Sequence, residues 1–153
     1  MERKVFLGVI PAAAAVGFSA ESAQAPTTDE ERFVGTYRLI SSPGGGENPI
    51  GRIYYDRAGR MGALLHPAQR KPLPESPTAD DYRELVRGVQ AYFGTYTVDE
   101  SAGTVTHHIE GGLQPQEIGG ERVRWYEFVS DRLHLKTSQN AAAPLVWERL
   151  PEG

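Results

Sequence analysis

Two adjacent histidines, His107 and His108, are the residues of this 153-residue chain best suited to acid–base or metal chemistry. Neighbouring residues of a β-strand project to opposite faces of the sheet, so these two imidazoles cannot bind one metal ion together. His66 and His134 lie far away in the sequence, and no three ligands occur at metal spacing. The sequence therefore predicts no metal site and leaves a single histidine as the candidate acid or base.

Other catalytic patterns find no support. The chain has no cysteine, which excludes a thiolate nucleophile and a disulfide framework. No Gly-x-Ser-x-Gly motif occurs, and no serine is tied to His107 by strand pairing. The glycine run at residues 44–46 precedes neither a helix nor a lysine, so it does not match a phosphate-binding loop. No cofactor is predicted.

The element that must position the histidines is a β-hairpin over residues 92–110. Threonine, tyrosine and valine dominate both arms, and Gly103 can adopt the left-handed conformation that its turn needs. A four-residue loop at 100–103 is predicted to pair Val98 with Val105 and Tyr96 with His107. His107 then points to the apolar inner face, with the Tyr96 hydroxyl as its expected hydrogen-bond partner, and His108 points outward.

Six further segments complete an all-β fold. The predicted strands are 33–41, 50–55 with 60–66, 121–129 with 132–137, and 144–150, besides the two arms of the hairpin above. Eight short antiparallel strands in sequential hairpins predict an eight-stranded up-and-down barrel. A β-sandwich with an inserted helix is the alternative, because a strand count does not show closure.

One helix is predicted between strands 3 and 4. Thr78 has the character of an N-cap, with Asp81 three residues later. The following apolar residues fall at helical spacing and are expected to pack on the barrel: Tyr82, Leu85, Val86 and Val89.

The hairpin registers also define which side chains face the barrel interior. Pairing across the tight turns sets Tyr55 against Met61 and Phe128 against Leu133, and turns Arg124 inward. The predicted ligand-binding residues are Tyr55, Met61, Tyr96, His107, Arg124 and Tyr126. Arg124 could hold a ligand carboxylate or enolate or could be structural, whereas Arg149 is interpreted as a plug laid over the Tyr37 ring.

The net charge bears on binding partners, and the N-terminal residues bear on cellular location. The net charge of −4 predicts no binding to nucleic acid or to anionic membranes. Residues 1–25, a short basic start followed by an uncharged run and Ala-Gln-Ala, are typical of a secretory signal peptide. Residues 26–31 are interpreted as a linker and 32–153 as the barrel domain, secreted or periplasmic and without membrane insertion after signal removal. The oligomeric state is not predicted.

Motifs across the chain resemble the lipocalin-like domain proteins of bacteria and fungi, a calycin-related family. They are Gly35-Thr36-Tyr37-Arg38-Leu39, Tyr55 with Gly59-Arg60-Met61, Tyr92-Phe93-Gly94-Thr95-Tyr96, Thr106-His107-His108 and Trp147-Glu148-Arg149. The family usually has tryptophan in place of Tyr37. The resemblance implies a calycin-type barrel holding a small, largely apolar molecule, and it implies no single reaction.

Three functions are therefore open. The first is an exported protein that binds a small hydrophobic or aromatic molecule in the barrel interior. The second is an isomerase, cyclase or dehydratase that uses His107 as acid or base in the same pocket, and the third is a structural or interaction role with a solid interior. A cavity of roughly some hundreds of Å³ separates the first two from the third.

Overall fold

Eight antiparallel strands form a closed barrel in the computed structural model, which describes residues 28–44 and 49–152. The strands are β1 (Gly35–Ser41), β2 (Ile50–Tyr55), β3 (Arg60–His66), β4 (Gln90–Asp99), β5 (Thr104–Gly112), β6 (Glu121–Val129), β7 (Arg132–Lys136) and β8 (Leu145–Arg149). Each strand pairs with the next one, and β8 pairs with β1. The predicted up-and-down barrel is confirmed, and the sandwich alternative is wrong.

Tight turns fix the register of three hairpins, as predicted. Gly59 and Gly103 have φ values of 77° and 64°, the left-handed conformation that their turns require. The observed pairs are Tyr55 with Met61, Tyr96 with His107, Val98 with Val105, and Phe128 with Leu133. The inner face of each hairpin is therefore the one expected from the sequence.

A short helix, α1 (Asp29–Phe33), precedes the first strand and closes one end of the barrel. Thr28 caps it in a reciprocal pair with Glu31. Phe33 is fully buried, and its ring packs edge to face on Tyr55 with 5.1 Å between the ring centroids. The sequence predicts a linker at 26–31 and a first strand that begins at Phe33. That strand start is wrong, because residues 29–33 form α1 and β1 begins at Gly35. A helix of five residues is too short to show helical periodicity in the sequence. Residues 26 and 27 lie outside the described residues.

The two ends of the barrel differ in the connections they carry. Tight turns at 56–59, 100–103 and 130–131 lie with α1 at one end, called here the closed end. Ser41 and Ile50, which the first of four longer connections joins, are at the other end, called the open end. The connections 67–89, 113–120 and 137–144 lie at this end too. The longer connections leave room for a ligand site at the open end, and a further recess of about 590 Å³ lies on the outer face of β2, β3 and β4.

The predicted helix is present as α2 (Ala79–Val86), with Thr78 as its N-cap and Asp81 completing the capping box. Its predicted packing on the barrel is wrong, since no residue of this fully described helix is buried and Tyr82 is 52% exposed. The proline-containing segment 67–77 lies against the helix instead, and the Arg70 guanidinium donates to the Leu85 carbonyl at 2.8 Å. No helix in the described residues is long and apolar enough to span a membrane.

Candidate ligand-binding site

A cavity of about 570 Å³ lies at the open end of the barrel, where the long connections meet. Its lining comes from the ends of strands, from residues 42–44 and 49, and from the connection 137–144, and we call it the mouth cavity. Apolar side chains contribute much of the surface, among them Leu39, Leu65, Pro67, Ala142 and Leu145. The mouth cavity is therefore an apolar recess of small-molecule size.

A second, smaller cavity of about 60 Å³ lies inside the barrel, and we call it the floor cavity. Four residues line both cavities: Leu65, Gln90, Thr137 and Leu145. The remaining interior is filled by large buried side chains such as Trp147 and Ile53, which also line the floor cavity. The site is therefore a wide mouth above a narrow floor, and most of the barrel below it is packed.

His107 lies at the floor between two tyrosines. Its Nε2 is 2.8 Å from the Tyr55 hydroxyl, and its Nδ1 is 3.0 Å from the Tyr92 hydroxyl. The side chain is 1% exposed, and this burial lowers its pKa from 6.5 to about 3, with a further contribution from the positive charge of Arg124. The imidazole is thus neutral near pH 7, and both of its nitrogens are engaged.

The expected partner of His107 was Tyr96, and this prediction is wrong. Although Tyr96 is directly opposite His107, its hydroxyl donates to the Asp56 carbonyl at 3.0 Å. Facing residues of paired strands share one face, but the long phenol ring extends past the imidazole towards the β2–β3 turn.

Sequence reasoning missed Tyr92 as a partner. It lies on the same strand face as Tyr96, four residues earlier, and this alternation was the signal that could have found it. A β-bulge between Phe93 and Gly94 then shifts the pairing next to it. The hairpin turn can be recognised in the sequence, whereas this bulge has no comparable sequence signature.

Arg124 points inward as predicted and lines the floor cavity. Its guanidinium donates to the Val123 carbonyl at 2.9 Å, and no carboxylate of the described residues lies within 4 Å of it. Burial lowers the pKa of Arg124 from its usual range. By contrast, Arg122 on the same strand bonds the Glu117 carboxylate at 2.6 Å.

Arg149 lies at the closed end, far from these groups. Its guanidinium carbon is 4.8 Å from the centroid of the Tyr37 ring, and its nitrogens donate to the backbone carbonyls of Arg32 and Val34. It joins α1 to β8. This is the geometry that the plug interpretation predicts.

Residues 34–149 match the family model of the lipocalin-like domain. The chain belongs to the lipocalin-like domain family. A search of curated proteins found no match to it. The lipocalin-like match spans all eight strands and leaves α1 outside its limits.

Within this lipocalin-like barrel the predicted ligand set divides in two. His107 and Arg124 line the floor cavity. Tyr55, Met61, Tyr96 and Tyr126 line neither cavity and belong to the packing towards the closed end, where the Tyr126 hydroxyl donates to Asp29 at 2.8 Å. Gln90 and Thr137 line both cavities and were missed, because the position of the cavities depends on how far large side chains fill the interior. Among the described residues, no group of three His, Asp or Glu side chains could hold a metal ion.

Proposed function

We propose that this protein binds a small, largely apolar molecule whose body occupies the mouth cavity. The observation that carries the proposal is the volume of that cavity, about 570 Å³, which is within the range of small-molecule sites. The ligand site predicted from the sequence lies in the barrel interior. The packed interior, with a floor cavity of only about 60 Å³, moves the proposed site to the open end.

The proposal includes export, for which the support is the pattern of residues 1–25. These residues lie outside the described part of the chain. An exported protein recovered from its host is expected to begin near Pro26, as N-terminal sequencing would show. Recovery from the cytoplasm with Met1 intact would contradict export and leave ligand binding unaffected.

The enzymatic alternative receives less support from the geometry. An effective acid or base has a pKa near the working pH and reaches the substrate proton directly. The pKa of His107 is about 3, and both ring nitrogens are occupied by tyrosine hydroxyls. Binding is therefore the function that the site supports best.

The test uses the neutral fluorescent probe N-phenyl-1-naphthylamine and two apolar residues of the barrel strands. Leu65 lines both cavities, whereas Val123 is 38% exposed on the outer face of the barrel and lines neither of them. Leu65→Trp should fill the mouth and weaken probe binding at least tenfold, which corresponds to about 1.4 kcal/mol. Val123→Trp should bind as the wild type does. Equal affinities in all three proteins would overturn the proposal, and mass spectrometry of co-purifying molecules would identify the natural ligand.

A further inference from the structure

The floor cavity contains the positive charge of Arg124, which forms no ion pair within the described residues. Arg124 lines it, and no carboxylate of the described residues lies within 4 Å of the guanidinium. No Asp or Glu of the described residues lines the floor cavity or the mouth cavity. A half-buried cation is costly to desolvate unless an anion or several acceptors compensate it. The site therefore favours a ligand that brings negative charge.

A second donor at the same place has no acceptor. Trp147 is 1% exposed and lines the floor cavity, and its indole nitrogen has no hydrogen-bond partner among the described residues. Buried N–H groups are normally bonded, and an unbonded one needs an explanation. Trp147 and Arg124 together give this floor an excess of donors.

The hydrogen bonds of His107 supply a third donor. Within the described residues the fully buried Tyr55 hydroxyl bonds only His107 Nε2, so its proton has an acceptor only if Nε2 is unprotonated. A neutral imidazole then carries its proton on Nδ1 and donates to the Tyr92 hydroxyl. The Tyr92 hydroxyl oxygen is then the acceptor, so its own proton remains available to donate to another group. Tyr92 lines the floor cavity. The opposite tautomer would leave the Tyr55 proton unbonded in the core.

We propose that the floor cavity binds the carboxylate head of an otherwise apolar ligand, with Arg124 as its counter-charge and the Tyr92 hydroxyl as a donor. The inference rests on the proposed function, because the apolar body of the same ligand occupies the mouth cavity. The volume of the floor cavity, about 60 Å³, is large enough for a carboxylate group, since one water molecule needs roughly 10–15 Å³. Four shared lining residues place the two cavities next to each other, so one molecule reaches both.

The experiment compares two ligands of matched shape, 2-naphthoate and neutral 2-naphthalenemethanol, by titration calorimetry at pH 7. The wild type should bind the carboxylate at least tenfold more tightly, because charged hydrogen bonds are about twice as strong as neutral ones. Arg124→Met should remove this preference and leave the affinity for the alcohol within about threefold. Arg132→Met, which removes an exposed arginine of β7, should keep the wild-type preference.

A second readout does not depend on the folding of an arginine variant. The chain has two tryptophans, so its indole N–H region in a nitrogen–proton NMR spectrum shows two signals, and Trp125→Phe assigns them. Naphthoate should shift the Trp147 signal more than naphthalenemethanol does. Equal shifts, together with equal affinities for the two ligands, would overturn the inference.

Failure of the inference and failure of the proposed function give different results. If both ligands bind equally and Leu65→Trp weakens both, the mouth cavity binds apolar molecules and the carboxylate site is wrong. If neither ligand binds and Leu65→Trp changes no probe binding, both proposals are wrong.

Discussion

His107 is held in its neutral form by burial and by two tyrosine hydroxyls, and this makes the folded state sensitive to acid. The pKa of His107 in the folded protein is about 3, whereas the ordinary value is 6.5. Between these values the unfolded chain binds a proton at this position and the folded protein does not. The free energy of unfolding therefore falls as the pH decreases from 6.5 towards 3.

The first prediction follows from this pH dependence of the free energy of unfolding. Between pH 6 and pH 4.5, His107 should reduce the free energy of unfolding by up to about 1.4 kcal/mol per pH unit. Urea denaturation at several pH values measures the slope. His107→Phe should have a smaller slope over the same range. Parallel curves for the two proteins would show that His107 is protonated in the folded state.

Replacing the imidazole also breaks two buried hydrogen bonds. His107→Phe leaves the hydroxyls of Tyr55 and Tyr92 without their partner, and each unsatisfied buried group costs about 1–3 kcal/mol. We expect a loss of about 2–4 kcal/mol in the free energy of unfolding at pH 7, measured by urea denaturation. His108→Phe is the matched control, since His108 bonds Thr97 and Glu121 on the outer face and should cost less than about 1 kcal/mol. Equal losses would contradict the structural role of the Tyr55–His107–Tyr92 contacts.

At the scale of elements, hairpins with two- to four-residue turns were predictable. A tight turn fixes which residues face each other, so the pairs Tyr55 with Met61 and Tyr96 with His107 followed from loop length alone. The contacts made by the ends of long side chains could not be predicted from loop length. Register says that Tyr96 and His107 share a face, but ring length and the bulge beside Gly94 decide that Tyr55 and Tyr92 contact the imidazole.

The two helices contrast in what the sequence could reveal. The cap and stripe of α2 predicted a helix correctly, but the packing on the barrel that the stripe predicted is absent, and the segment 67–77 lies against the helix instead. The five residues of α1 are too few to show a helical periodicity of apolar residues, although Phe33 at the end of the helix is fully buried. Burial and periodicity are thus separate properties, and only periodicity can be read in a single sequence.

The third prediction compares the two capping boxes. Thr28→Ala should lower the free energy of unfolding by about 1 kcal/mol, because α1 carries Phe33 into the closed end. Thr78→Ala removes the same kind of cap from α2, which buries no residue, and should change global stability by less than about 0.5 kcal/mol. Urea denaturation compares the variants. A larger loss for Thr78→Ala would mean that α2 supports the barrel.

At the scale of the whole molecule, the densely packed contacts and the two cavities lie at opposite ends of the barrel. The closed end contains Phe33, Tyr37 and Arg149 in close contact, whereas the open end contains both cavities. The closed barrel itself was predictable from strand count and sequential hairpins. The position of the cavities was not, because it depends on how far large side chains from one end fill the interior.

The fourth prediction tests this separation. Arg149→Met removes hydrogen bonds from a charged donor to the carbonyls of Arg32 and Val34, and should lower the free energy of unfolding by about 2–4 kcal/mol. Affinity for N-phenyl-1-naphthylamine should stay within about twofold. Denaturation and probe titration measure the two quantities, with Arg132→Met as the control for loss of an exposed arginine. If affinity falls while stability holds, Arg149 belongs to the ligand site.

The pairing of β1 with β8 also brings the first and last strands together at the closed end. Leu150 donates to the Thr36 carbonyl at 2.8 Å, and Arg149 reaches the carbonyl of Arg32. A surface anchor or reporter protein attached beside Thr28 or Glu152 would therefore sit at the pole opposite the recess. Immobilised by either point, the molecule would present its open end to the surrounding solution.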